Sequence, residues 1–297
     1  MTLKWATAAE DRLPSSVRAR RDGVKVPAAH PTGVVGCLAC CMRFALWLRR
    51  LSLRTALSRP ADRGNGESTD ELSNTRTQAG GAVLWLTLNR PHSLNALNSQ
   101  LVDELEDFLR RIPADRSTRV VVMRGAGRAF CAGLDLKEQN RDDGSLGTST
   151  TGSFEMQRRM SDLTVMMRRA PQPFIAAVRG PAAGGGFALA LACDVRIAGE
   201  SARFNAAFIR IGLTACDMGV SYHLPRAVGM SVAAELLLTG RFINAERALR
   251  AGLVSELVPD DQLDAAAAKL AQDMVETSPL GLRLTKECMW AAVDASS

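Results

Sequence analysis

The sequence has little of the vocabulary from which most hydrolytic, metal-dependent and nucleotide-binding sites are built. Three His and one Tyr occur in 297 residues, which narrows the choice of general acids and bases. No Gly-x-Ser-x-Gly elbow is present, so a serine hydrolase is not supported. Seven Cys are scattered along the chain, and only Cys37, Cys40 and Cys41 stand close together. A metal site there would need further ligands, with only His30 near, so no metal is expected and the thiols read as reduced and intracellular. No apolar run is long enough to cross a bilayer: the stretch from Val34 to Leu48 is short and broken by Arg43. A basic face interleaved with aromatics is missing from the main body, which argues against nucleic acid as a partner.

The charge that is present is unevenly spread. The net charge is +6, but residues 1–63 alone hold twelve Lys/Arg against four Asp/Glu, a local +8, leaving −2 for the remainder. Residues 1–68 are rich in Ala, Arg, Ser, Pro and Gly and lack a periodic core pattern. Within them Met42–Arg54 fits an amphipathic helix, with Phe44, Leu48 and Leu51 on one side and Arg43, Arg50 and Arg54 on another. Arg-rich, Ser-bearing and acid-poor is the composition of an organelle transit peptide, and a poorly ordered leader or a start placed too far upstream fits it too. The segment 1–68 is therefore expected to be a basic extension, disordered or targeting. The compartment expected is the cytoplasm, with the mitochondrial matrix as the alternative if the leader is real.

From residue 69 the pattern changes to short apolar runs separated by amphipathic stretches. Strands are expected at Val83–Leu88, Val120–Met123, Phe174–Val178, Val195–Ala198 and Leu253–Val258. Helices are expected at Leu101–Arg110, Phe154–Arg169, Gly219–Val228, Ser231–Leu238, Ala245–Ala251 and Leu263–Glu276, with a Gly/Ser/Thr/Asp-rich mobile loop at 140–152. Strands alternating with helices argue for an α/β body. At its centre, Phe174–Val178 leads through Gly180-Pro181-Ala182-Ala183 into Gly184-Gly185-Gly186 and a helix of small residues. No Lys-Ser/Thr follows the glycines and no third Gly completes a dinucleotide fingerprint. Three glycines at the mouth of a helix expose backbone N–H groups at the positive end of its dipole, which suits an oxygen that gains negative charge. Spacing alone leaves open a Gly-rich helix–strand packing site.

Six motifs in this body, taken in order, resemble the enoyl-CoA hydratase/isomerase (crotonase) superfamily. They are Asn89-Arg90-Pro91 with Leu94-Asn95-Ala96-Leu97, Arg128 through Leu136, Ala182 through Gly186, Leu224-Pro225-Arg226 with Gly229, Leu238-Thr239-Gly240-Arg241, and Ala251-Gly252-Leu253-Val254. The resemblance covers roughly residues 80–290. It implies an α/β fold, a crotonase-like spiral of ββα repeats over 69–262, with 263–297 as the start of a C-terminal helical oligomerisation region that looks incomplete. It also implies an acyl-coenzyme A thioester as substrate, no separate cofactor, and a homotrimer or homohexamer. By motif position the thioester oxygen would sit between the backbone N–H groups of Leu134 and Gly185. Ser93, Leu94, Ala96, Ala132, Asp135 and Leu136 would line the coenzyme A path, and Lys286 would meet a coenzyme A phosphate; for Asp135 a loop-closing carboxylate is an equal alternative.

The sequence departs from the family where protons are moved. A hydratase of the family uses two glutamates, and the matching positions here are Ala188 and Phe208, neither of which can transfer a proton. Asp217 is the carboxylate that survives nearby. It resembles an aspartate of the dienoyl-CoA isomerase branch and lies near that of the aromatic acyl-CoA dehalogenases, in both cases with a one-residue register shift. Asp217 is either a single general base with a pKa raised by apolar neighbours or an N-cap of the helix that follows. The expected activity is hydration or double-bond isomerisation of an enoyl-CoA through a stabilised thioester enolate. The alternative is a degenerate member that binds acyl-CoA or a partner subunit without chemistry.

Overall fold

The structure is a computed structural model and describes residues 69–71, 74–139 and 150–295. The expectations for the basic extension 1–68, including Met42–Arg54, His30 and the Cys37/Cys40/Cys41 group, lie outside the described residues. So does most of the loop expected at 140–152, although the chain is already helical from Thr150. In chain order the strands are β1 (Thr69–Glu71), β2 (Thr75–Gly80), β3 (Val83–Leu88), β4 (Val120–Gly125), β5 (Phe174–Val178), β6 (Pro181–Ala183), β7 (Val195–Gly199), β8 (Arg203–Asn205), β9 (Ile243–Asn244) and β10 (Glu256–Val258). The helices are α1 (Ser99–Arg111), α2 (Leu136–Gln139), α3 (Thr150–Arg169), α4 (Gly185–Ala192), α5 (Val220–Val228), α6 (Met230–Thr239), α7 (Ala245–Arg250), α8 (Leu263–Val275) and α9 (Pro279–Ala295).

The larger sheet runs β1-β2-β3-β4-β5-β7-β10, and a smaller one runs β6-β8-β9. From β3 to β10 neighbours in the larger sheet are parallel, as helical crossovers demand. Successive turns of the chain repeat one course: a strand in the large sheet, a short rung in the small one, then a helix. β5, β6 and α4 make one such turn, and β7, β8 and α5 the next. In the earlier turns the second rung shrinks to a single bridge, Cys131 on Ala182 after β4 and Leu97 on Leu134 after β3. This is the α/β spiral of ββα turns.

Period-two alternation decides which core each side chain enters. Val120, Val122, Ile175, Ala177 and Ile197 pack under Leu263, Ala267 and Ala271 of α8. Their neighbours Val121, Met123, Phe174, Ala176 and Val178 point the other way, into the main core beside Phe187, Leu189 and Leu163. Helix α1 starts at Asn98, whose side chain accepts the Leu101 N–H at 3.0 Å, and it ends on Arg110 and Arg111; a polar N-cap and a cationic last turn both favour that polarity. Its apolar face, Leu101, Val102, Leu105, Phe108 and Leu109, is buried in the main core. Helix α9 is mounted differently: among its described side chains only Lys286 is buried, and Leu280, Leu284 and Met289 are exposed.

Candidate active site

The loop after β3 is the first part of the site. Leu94 and Asn95 both take left-handed backbone, φ 51° and 57°. Asn tolerates that conformation best among non-glycine residues, and here its amide fixes two loops at once. Asn95 Oδ1 accepts the Arg90 N–H at 2.8 Å, while Nδ2 donates to the Ala126 and Ala129 carbonyls at 2.9 and 2.8 Å. Arg90 in turn pairs with Asp135 at 2.9 Å. The Asp135 carboxylate also accepts the Lys137 N–H, at 3.2 Å, so it closes its own loop.

The segment after β4 then runs between two neighbours. Cys131 donates to the Pro181 carbonyl and accepts from the Ala183 N–H, at 3.2 and 2.9 Å. Ala132 N–H donates to Leu94 and the Leu97 N–H to the Gly133 carbonyl, at 2.9 and 2.7 Å. A trans peptide sets its N–H opposite its C=O. Because the Gly133 carbonyl turns to Leu97, the Leu134 N–H of the same peptide turns away from Leu97. Gly133 has φ 92°, and a Cβ there would lie 2.7 Å from the Ala183 carbonyl oxygen and 3.3 Å from the Gly185 nitrogen. Gly186 allows an equally close approach, since its Cβ would stand 2.1 Å from the Cys131 oxygen. The backbones at 133–134 and 185 are thus in contact. Gly185 is the first residue of α4, so its N–H has no acceptor within the helix. Among the described residues neither the Leu134 nor the Gly185 N–H donates to another protein group.

Beside these amides the surroundings are apolar. The Gly185 Cβ position lies 2.9 Å from Leu97 Cδ1 and 3.2 Å from Met218 Sδ, and that of Gly184 lies 3.9 Å from the Phe208 ring. Ala188 is fully buried on α4. Met218, a non-glycine residue at φ 49°, forms the middle of a 3-10 turn, Asp217–Gly219; that backbone costs about 1–2 kcal/mol, so packing must hold it. Asp217 opens the turn. It is 8% exposed, and burial raises its carboxyl pKa to about 6, partly offset by the Met218 N–H. Its carboxylate accepts from Gln157 Nε2 of α3. The N-cap alternative for Asp217 fails: the residue capping α5 is Gly219, and no side-chain hydrogen bond caps that helix. Cys131 is no nucleophile, since burial pushes its thiol up to about 12.

The sequence from residue 78 to 297 matches the family model described as enoyl-CoA hydratase/isomerase. The chain belongs to the enoyl-CoA hydratase/isomerase family. It is an acyl-CoA-processing enzyme of that family. A Mycobacterium bovis protein described as "Probable enoyl-CoA hydratase echA12" is 46% identical over 219 residues, covering 72% of this chain and 76% of its own length. The crystal structure of a probable enoyl-CoA hydratase/isomerase from Mycobacterium abscessus is 38% identical with a TM-score of 0.69, over 76% of this chain and 84% of that one. That of a monofunctional enoyl CoA isomerase from M. smegmatis is 41% identical with a TM-score of 0.62, over 74% and 92%.

Within this member of the family one expected contact needs correcting. Lys286 does not reach outward to a phosphate: its ammonium is buried, 2.8 Å from Asp194 Oδ2 and 3.0 and 2.9 Å from the Met167 and Gln172 carbonyls. All three donors of the ammonium are spent inside the protein, and Asp194 also accepts the Trp290 indole N–H and the Phe174 N–H, each at 2.8 Å. Ser93, Leu94 and Ala132 are half-buried, Ala96 is buried, and Leu136 is exposed on α2. Sequence reasoning missed Asn95 as the residue that locks the two loops, although its motif was visible, and it missed Gln157, for which no local signal exists. Among the described residues no group of His, Cys, Asp or Glu side chains could hold a metal ion, and no helix is long and apolar enough to cross a membrane.

Proposed function

We propose that this family member is an enoyl-CoA isomerase that relocates a carbon–carbon double bond, with Asp217 as its single proton carrier. The observation that carries this reading is the position of one buried carboxylate, in a turn whose next residue, Met218, packs against Gly185; the family resemblance adds that Ala188 and Phe208, which cannot transfer a proton, match the positions of a hydratase's two glutamates. Water addition needs a second acid or base to activate the water; proton relocation needs one. Asp217 removes the acidic proton at C2 of a 3-enoyl thioester, and the electron pair moves onto the thioester oxygen as a dienolate. The N–H groups of Leu134 and Gly185 donate to that oxygen more strongly as it becomes negative, which lowers the barrier selectively. Asp217 then returns the proton at C4, leaving the 2-enoyl thioester and the carboxylate regenerated. No cofactor is needed beyond the coenzyme A that the substrate carries. Ser93, Leu94, Ala96, Ala132 and Leu136 are proposed, from the family resemblance, to line the coenzyme A path to these amides.

The test is a panel of 2-enoyl-, 3-enoyl- and dienoyl-CoA substrates offered to the wild type and to Asp217→Asn. Isomerisation of the 3-enoyl-CoA is expected, with a loss of about 10²–10⁴ in kcat for the variant. Hydration of the 2-enoyl-CoA at a rate above isomerisation overturns the proposal, and so does full activity in the variant. A homotrimer or homohexamer is proposed from the family resemblance. The compartment follows residues 1–68: the mitochondrial matrix if they act as a transit peptide, otherwise the cytoplasm.

A further inference from the structure

Among the described residues Asp217 has one side-chain hydrogen-bond partner, and it comes from 60 residues away. Gln157 is half-buried on α3 between the buried Met156 and Met160, and its Nε2 donates to Asp217 Oδ2. An ionised carboxylate can only accept, so the amide must present its N–H₂ to it. Among the described residues no charged side chain shares in setting Asp217's acidity. On α3, Arg159 is engaged with Asp103 and Glu106, Glu155 is exposed, and Asp162 sits among Arg158, Arg169 and Glu106. Helix α4 carries no ionisable side chain. On α5, Tyr222, His223 and Arg226 gather about Arg168 and Asp294. A base set in apolar surroundings without a cation is ionised and aimed only by what hydrogen-bonds to it.

We infer that Gln157 is the positioning residue of the active site, holding Oδ2 of Asp217 so that the other carboxylate oxygen is the one that exchanges the substrate proton. This rests on the reading of Asp217 as the base. Donation to the charged form favours ionisation, so Gln157 also keeps enough carboxylate present at neutral pH. Its loss should leave Asp217 in the turn but protonated to higher pH and held only by the Met218 N–H.

The experiment compares wild type, Gln157→Leu and Asp217→Asn as full-length proteins. The Asp217 carboxyl is titrated by carbon-13 NMR, assigned by its absence in Asp217→Asn, and kcat is followed against pH with 3-hexenoyl-CoA as the probe. In Gln157→Leu the NMR midpoint and the acid limb of kcat are both expected to rise by about one pH unit, with KM unchanged. At pH 6 that alone removes roughly fivefold of kcat, and the loss shrinks toward pH 9. If Asp217→Asn is inactive while Gln157→Leu leaves midpoint and limb in place, the role of Gln157 is overturned and the base stands. Turnover that survives in Asp217→Asn overturns the base assignment itself. Thermal melting of both variants separates these outcomes from unfolding: Gln157→Glu, which keeps the size of the side chain, gives the same ordering if Gln157→Leu does not fold, with a larger upward shift because two carboxyls then share one site.

Discussion

Asp217 carries a cost at neutral pH because burial raises its pKa from 3.8 to about 6, with no cation among the described residues to offset it. Between those two values the folded state binds more protons than the unfolded one, so stability falls as pH rises through the window. The penalty is absent below pH 3.8 and complete above about pH 6, where it amounts to about 3 kcal/mol. Asp217→Asn is therefore expected to melt higher than the wild type at pH 8 and at the same temperature at pH 4, which paired thermal scans would check. An unchanged difference between the two pH values would mean that the carboxylate is not desolvated. A second residue-scale prediction concerns Gly133. A Cβ there would press on the Ala183 carbonyl at 2.7 Å while the backbone stays at φ 92°. Gly133→Ala should lose about 2 kcal/mol of stability and a larger share of kcat, since the shift moves the Leu134 amide away from Gly185; chemical denaturation and kinetics on the same preparation measure both.

At the scale of single elements, α9 is fastened by a polar stripe. Lys286, Trp290 and Asp294, spaced four apart, reach inward to Asp194 and Arg168, and the Arg168 guanidinium lies 4.4 Å from the Trp290 ring and 5.0 Å from that of Tyr222. Removing the Lys286 ammonium leaves Asp194 buried without its cation, which typically costs 3–5 kcal/mol. Lys286→Ala should thus lower Tm sharply while KM for an acyl-CoA substrate stays as it was; a raised KM in a stable variant would restore the phosphate contact expected from the sequence. This helix also explains what could be read in advance. β3, β4 and β5 were legible because each carries an apolar run, Val83–Leu86, Val120–Met123 and Phe174–Val178, and α1 because its apolar spacing is helical. β2, Thr-Arg-Thr-Gln-Ala-Gly, has no apolar alternation, and β6, β8 and β9 are only two or three residues long. In α9 Leu280, Leu284 and Met289 are exposed while Lys286 is buried, so periodicity gave no sign of how it docks. Motif position singled out the two glycine-bearing loops, which the fold brings together at Gly133 and Gly185, but the Gln157–Asp217 contact joins distant segments with no pattern in either.

For the whole molecule, the spiral stacks its turns so that the two proposed oxyanion donors, Leu134 and Gly185, come from two different turns, and Asp217 from a third, between β8 and α5. Met230 and Leu238 on α6 are 73% and 76% exposed, and Phe242, Leu280 and Leu284 are exposed as well. Surface of that kind is commonly covered by another chain. Sedimentation should give the mass of a trimer or hexamer, and Met230→Asp with Leu238→Asp should shift it to smaller species; a monomeric wild type would remove the oligomer from the account.

The peptide between Gly133 and Leu134 has one consequence for any search by mutation. Its oxygen ties the turn to Leu97 and its nitrogen is the one proposed to meet the ligand, and neither task depends on what is attached to the α-carbon of Leu134. An alanine library would register only the packing lost where that side chain lies against the main core, and would miss the amide. Only a change in the polymer itself, an ester in place of the amide or a proline, would reveal how much turnover depends on it.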